Sequence, residues 1–471
     1  MEAGSHTLAI PRLSPGFYMI RMRMDGNSNV HRLLRIGGGF LDAGSGEIAS
    51  GNGTGALAKT AVAADTLLAV KAGFQNTKVP VGTLTKTNVQ VVMTPVCTIP
   101  TMPAASTLPS IAKMPDPFMS MSGTRVSTKA DWDCRREEIG QQFQAYELGA
   151  KPPRPTSVTA VLTGNNLAIT IADLGKTMTF TVTITKPTVG TVPYPVLIGY
   201  GSSSLSEVLS LGVATMNFNN DSIAKNAGGL AADRGKGKFY DLYGSTHSAG
   251  AMMAWAWAVS RIIDALEMTP EAGLDPSRVA VTGCSRNGKG ALVAGAFDAR
   301  IALTIPQESG SGGTGNWRVS DYMLDTLKQS TQTLTELVTE EPWLSTLVNP
   351  FLNGKTRQLP FDHHMLVGMV APRGLLMIDN DILWLGPMSS FSTATAGKSV
   401  YTALAAPEAM TYSEVGGHAH CSFPASQRHW VDSYVRKYLL GGTGETAAIE
   451  NGLGFTFDAA RWVNWTTPIL Q

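Results

Sequence analysis

The chain has 471 residues, and its 37 Lys and Arg against 36 Asp and Glu leave a formal net charge of +1. That balance, with no basic run interleaved with aromatics, argues against nucleic acid or another polyanion as partner. The most apolar helical stretch, AGAMMAWAWAVSRIIDALEM from Ala249, meets Arg261 and Asp264 before a membrane span is complete, so no membrane association is expected.

In chain order, GFYMIRMRMDGNSNVHRLLRI (residues 16–36) alternates around a DGNSN turn, which is a hairpin pattern. A Gly/Ala/Ser-rich stretch over 37–65 follows, too poor in large apolar side chains to pack, and is expected to be a mobile loop. Short strand patterns return in TLLAVKAGFQNTKVPVGTLTKTNVQVVM, so residues 1–95 are expected to form a small β-sandwich-like module. The opening MEAGSH has no apolar signal core, and any export signal is expected to lie outside the sequence given.

From Cys97, Pro-rich sequence leads into a helical pattern around DWDCRREEIGQQFQAYELG, then into SVTAVLTGNNLAITIAD and KTMTFTVTITKP, read as antiparallel strands. Strands and helices then alternate: PVLIGYG, the helix from Ala249, VAVTG, a helix after Ser285, ALTIPQES, GLLMIDND, MTYSEVGGH and the helix in HWVDSYVRKYL. This alternation predicts an α/β fold over residues 96–471, a parallel sheet covered by helices on both faces. In such sheets the site lies at the carboxyl ends of the strands.

Four of those ends are rich in polar groups: GCSRNGK, QESGSGG, DND and GGHAHCSFP. Ser285 at a strand-to-helix turn has the pattern of a nucleophile elbow, and the competing reading is an ordinary turn capped by a serine. A serine hydroxyl is a poor nucleophile at neutral pH. It needs an imidazole to take its proton and a carboxylate to hold that imidazole, and the order Ser, acid, His is that of α/β-hydrolases. His418 and His420 are both available as base, and Glu308, Asp379 and Asp381 as acid. Asn287 stands where GxSxG has its second glycine, and it is expected to tolerate a left-handed backbone there. The four cysteines include no CxxC and no zinc-like Cys/His spacing, so no metal site is expected and they are two disulfides or four buried thiols.

Taken together, CSRNGKGA, PQESGSGG, WLGP and HCSFP, with DPF, GTRVSTKADWDCR and YELG upstream, resemble segments of the glucuronoyl esterases, carbohydrate esterase family 15. The resemblance runs from about Cys97 to the end. It implies a three-layer αβα α/β-hydrolase that cleaves esters of glucuronic acid or its 4-O-methyl ether, as in lignin–glucuronoxylan cross-links, without cofactor or metal. Residue by residue it makes Ser285 the nucleophile, His420 the base and Glu308 the acid, with the Arg286 side chain supporting the oxyanion. The sugar would be held by Lys289, Gln332, Glu340 and Trp384. Lys289 follows the serine by one helical turn and is expected to reach the same opening, whereas Gln332 and Glu340 are expected on one face of a helix.

The resemblance also implies bridges between Cys284 and Cys421, tying the two catalytic loops, and between Cys97 and Cys134. Two bridges place the protein in an oxidising compartment, secreted, periplasmic or at the cell surface. The family often has a further bridge from a cysteine just before Trp-Arg. Asn316 stands there, so that loop is expected to be less constrained. The N-terminal module lies outside the resemblance and is similar to accessory modules of bacterial enzymes that attack plant cell walls; a monomer is expected. Two other functions remain open on sequence alone. An acetyl-xylan esterase would keep Ser285 and His420 but have no use for Lys289, Glu340 and Trp384 together, and a non-catalytic cell-wall-binding protein would not need the histidine.

Overall fold

The structure, a computed structural model, describes residues 97–201, 205–226 and 228–471, together with strand segments between residues 8 and 92. The chain divides into two units, Met1–Ile99 with Thr128–Cys134, and Pro100–Ser127 with Arg135–Gln471. In the first unit, Gly16–Met24 and Asn27–Ile36 pair antiparallel, as their alternation around the DGNSN turn predicts. They lie in a five-stranded sheet with Gly39–Asp42, Ile48–Ala49 and Val89–Val92, and a three-stranded sheet joins Leu8–Ala9, Thr66–Ala69 and Thr77–Pro80. The mobility expected of 37–65 falls outside the described residues, which from that stretch include only Gly39–Asp42 and Ile48–Ala49. Cys97 and Cys134 are bridged within this unit, their Cα atoms 5.2 Å apart.

The second unit is built on a ten-stranded mixed sheet. At one edge β1 (Ser157–Thr163), β2 (Asn166–Asp173) and β3 (Lys176–Thr185) are antiparallel, as expected. Strict alternation makes β3 two-faced, burying Met178, Phe180, Val182 and Ile184 and exposing the threonines between them. The remaining strands run parallel to one another: β4 (Tyr194–Tyr200), β5 (Ala214–Phe218), β6 (Leu274–Cys284), β7 (Ile301–Gln307), β8 (Gly374–Asp379), β9 (Met410–Glu414) and β10 (Ile449–Glu450). Their order across the sheet is β10-β9-β8-β7-β6-β4-β5-β3-β2-β1. The short strands β5 and β10 escaped the sequence reading, so β9 is not the last strand. The apolar runs of β4 and β8 are what burial on both faces requires.

The helices of this unit include α1 (Ala251–Met268), α2 (Arg286–Phe297), α3 (Trp317–Asp325), α4 (Leu334–Glu340), α5 (Pro387–Ala403) and α6 (Arg428–Tyr438). On one face Trp430, Val431, Tyr434 and Val435 of α6 pack on Leu197, Ala280, Leu303, Ile305, Leu376 and Ile378. On the other, α2 lies so close to β7 that a Cβ at Gly295 would fall 2.2 Å from Thr304 Oγ1. Trp255 and Trp257 of α1 are fully buried, and truncating either to Ala would cost about 3–5 kcal/mol. Among the described residues no helix is long and apolar enough to cross a membrane.

Candidate active site

β6 ends at Cys284 and α2 begins at Arg286, so the whole reversal falls on Ser285, at φ 60° and ψ −129°. A non-glycine residue held there is strained, as the serine of a strand-to-helix nucleophile turn is. The turn is this tight because residue 283 has no side chain: a Cβ there would stand 2.6 Å from the Asn287 backbone. The left-handed backbone anticipated at Asn287 is therefore at Ser285 instead. Asn287 is an ordinary helical residue whose Oδ1 accepts from Asn220 Nδ2 at 3.0 Å. The Ser285 N–H donates to the Gln307 carbonyl at 2.9 Å, anchoring the turn to the end of β7.

Glu308 comes next after β7, with φ 44° and 2% exposure. Its Oε2 accepts from His420 Nδ1 at 2.8 Å, Asn380 Nδ2 at 2.6 Å and the Cys421 N–H at 2.8 Å. His420 Nε2 is buried without a hydrogen-bond partner. His418 is differently placed: its ring nitrogens face the carbonyls of Ala419 at 3.1 Å and Val415 at 2.8 Å, and its Nδ1 is 3.8 Å from Glu308 Oε1. Neither aspartate bonds to His420. Asp379 accepts the Asn380 N–H at 3.1 Å, and burial pushes its carboxyl up to about 8 against a hydrogen bond from Ser390. Asp381 accepts the Gly417 N–H at 3.1 Å.

Cys284 and Cys421 are bridged, with Cα atoms 5.7 Å apart. Ligand-type atoms of Cys284, Cys421, Glu308 and His420 lie within 4.8 Å of one another. The two sulfurs are bonded to each other and offer no thiolate to a metal, so the bridge ties the serine turn to the histidine loop.

The residues matched to sugar binding are less uniform. Trp384 is 41% exposed, with its ring 5.1 Å from that of His420 and steeply inclined to it, so it does not cap the core. Lys289 is enclosed, 1% exposed, donating to the Ser309 carbonyl with its amine 5.3 Å from the Trp343 ring centroid. Burial pushes that amine down to about 7, with Asp379 opposing and Arg286 adding to the fall. Arg286 is exposed. Burial also raises the Glu341 carboxyl, against the pull of Arg286.

Gln332 is not on the helix expected to carry it. Thr333 caps α4, its hydroxyl accepting the Glu336 N–H at 3.4 Å, so Gln332 precedes the helix and shares no helical face with Glu340, the exposed last residue. The Gln332 N–H instead donates to the Trp384 carbonyl at 3.0 Å.

The loop expected to be less constrained at Asn316 is held by hydrogen bonds. Asn316 is fully buried and caps α3, its Oδ1 accepting the Arg318 N–H at 3.1 Å and its own N–H donating to Ser389 Oγ at 2.6 Å. Asn380 and the Cys421 N–H were not singled out from sequence, because DND reads as a turn and a backbone donor leaves no mark on residue type.

A family model described as glucuronyl esterase, fungi, matches residues 169–405. A 4-O-methyl-glucuronoyl methylesterase from Hypocrea jecorina is 50% identical over 370 residues, 79% of this chain and 79% of the relative. The chain belongs to the glucuronoyl esterase family. The solved catalytic domain of a glucuronoyl esterase from Hypocrea jecorina matches this family member with a TM-score of 0.75 at 50% identity, covering 79% of this chain and 100% of that one. A mutant glucuronoyl esterase from Sporotrichum thermophile, in complex with methyl 4-O-methyl-β-D-glucopyranuronate, matches with a TM-score of 0.75 at 41% identity, covering 80% and 100%. The fold is that of an α/β-hydrolase, and the protein is an enzyme, a carboxylic ester hydrolase.

Proposed function

We propose that this glucuronoyl esterase hydrolyses esters of glucuronic and 4-O-methyl-glucuronic acid through a Ser285–His420–Glu308 triad, in nature at lignin–glucuronoxylan cross-links. The observation that carries the reading is His420, with one ring nitrogen on Glu308 Oε2 at 2.8 Å and the other buried and unpartnered. His420 Nε2 takes the hydroxyl proton as Ser285 Oγ attacks the sugar's ester carbonyl carbon, and Glu308 stabilises the imidazolium that forms. The oxyanion develops beside the first-turn N–H groups of α2, which have no intrahelical acceptor, and the Arg286 guanidinium adds a full positive charge. Collapse breaks the bond to the alkoxy oxygen, the imidazolium returns its proton to the leaving alcohol, and a glucuronoyl serine remains. Water, deprotonated by His420, then attacks that ester, releasing glucuronate and restoring Ser285.

In this reading the exposed face of Trp384 receives the pyranose and Gln332 and Glu340 bind its hydroxyls, while Lys289, enclosed and donating to the Ser309 carbonyl, has to leave that bond to reach one. The chemistry calls for no metal or cofactor. Residues 96–471 act as the catalytic domain, 1–95 as an accessory module, the two bridged cysteine pairs suit a secreted protein, and the protein acts as a monomer.

Turnover of benzyl glucuronate and of an aryl acetate by the wild type and by Ser285→Ala tests the proposal. The wild type should prefer the glucuronate, and the variant should lose activity on it by several orders of magnitude while melting normally. Near-normal turnover by folded Ser285→Ala, or a preference for the acetate, sinks it.

A further inference from the structure

We infer that Asn380 is a positioning residue for this reaction: it holds the Glu308 carboxylate in the orientation that presents Oε2 to His420. The inference rests on the proposed triad. Asn380 is fully buried and follows directly on β8, beside β7, which leads into Glu308. Its amide orientation is set by chemistry. The Ile382 N–H can only donate, so Asn380 Oδ1 faces it at 3.0 Å, and Nδ2 is thereby left for Glu308 at 2.6 Å.

A glutamate side chain has three rotatable torsions, and its carboxylate serves the imidazole only if they are fixed. The Glu308 N–H donates to the Ile378 carbonyl at 2.7 Å and fixes the backbone. Three donors then converge on Oε2, whereas His418 Nδ1 stands 3.8 Å from Oε1. Two of the three donors, His420 and the Cys421 N–H, belong to the loop after β9. Asn380 comes from the loop after β8, so it is the donor that grips the carboxylate independently of the histidine loop.

It also draws charge from the oxygen that faces the imidazole. Without it Oε2 keeps more charge for the imidazolium, which is then harder to deprotonate, and activity is lost at a higher pH on the acid side. The other titratable or charged groups around the pair include His418 from the histidine loop, Asp379 from β8, Asp381, whose carboxylate accepts the Gly417 N–H of the histidine loop, Arg286 at the start of α2 and, through Asp379, Lys289 from α2. All of these remain when Asn380 alone is replaced.

The test is kcat, KM and their pH profiles on benzyl glucuronate for the full chain carrying Asn380→Ala or Asn380→Asp, with Ser285→Ala as control. Loss of the carboxylate's fixed orientation should lower kcat about tenfold to a hundredfold in Asn380→Ala, outweighing the extra charge left on Oε2, with KM within about twofold and the acid limb moved upward. In Asn380→Asp two carboxylates would meet where the amide and Glu308 now stand 2.6 Å apart, and both cannot be ionised. The pair keeps a proton that donates across the same bond, so kcat should approach the wild type at low pH and fall as that proton is lost, along an alkaline limb that the substitution adds to the wild-type profile.

Wild-type kcat and acid limb in folded Asn380→Ala, or a change in KM alone, overturns the inference. Should the alanine variant fail to fold, an unchanged pH profile in Asn380→Asp overturns it equally. An inactive Ser285→Ala alongside either result leaves the triad standing, whereas an active one fells the triad itself.

Discussion

Replacing Glu308 by Gln removes one negative charge at 2.8 Å from His420 Nδ1 while nearly preserving shape. At an effective dielectric of about 20, unit charges at that separation attract by about 6 kcal/mol. The His420 side chain is 27% exposed, so solvent screening reduces this to about 4 kcal/mol. Withdrawing that much stabilisation from an imidazolium that exists only along the reaction path should lower kcat about a thousandfold. KM should stay within a few-fold, because the carboxylate faces the imidazole and not the sugar. Asp379→Asn and Asp381→Asn should stay within about threefold of the wild type, since these carboxylates accept the N–H groups of Asn380 and Gly417 and neither bonds to His420. Initial rates on benzyl glucuronate, with melting curves to verify folding, measure all three. A Glu308→Gln variant within tenfold of the wild type, or an aspartate variant that falls a thousandfold, refutes the reasoning.

Removing the Cys284–Cys421 bridge by a double Cys→Ser substitution should lower kcat tenfold or more, because the Cys421 N–H that grips Glu308 at 2.8 Å loses its tether. Stability should suffer less, since both loops emerge from strands already paired in the sheet; mass spectrometry of an unreduced digest in which both cysteines are alkylatable would reject the bridge itself. Asp379 should make stability depend on pH. Its folded carboxyl titrates near 8 and its unfolded one near 3.8, so its contribution is fully present below the lower value and is lost as pH rises toward the upper. The melting temperature of Asp379→Asn should therefore gain on the wild type from about pH 4 to about pH 8 and then level, and a constant difference across that window contradicts the account.

Much of the hydrolase core was legible because its signals are local. Apolar runs such as PVLIGY and GLLMID and the long helix from Ala249 announce themselves through period and composition, and they lie where expected. GCSRNGKG marked its own turn, since a strand, a serine and a helix in immediate succession leave few backbone solutions. The start of α4 is also marked locally: Thr333 and Glu336 form the T-x-x-E signature of a helix start, which sets Gln332 outside α4.

What sequence alone determined was therefore most elements of the sheet, all but the short β5 and β10, with their order along the chain and the residue types capable of nucleophilic chemistry at the strand ends. Which of three carboxylates meets which of two histidines is named on sequence only by the family resemblance, and its physical basis lies in three dimensions. The register of β7 against β8 and the path of the loop after β9 bring Glu308, Asn380 and His420 to one oxygen, and turn Asp379 and Asp381 toward backbone N–H groups instead. A hydrogen bond forms or fails within a few tenths of an ångström, whereas residue type and spacing fix position only to within a strand or a turn.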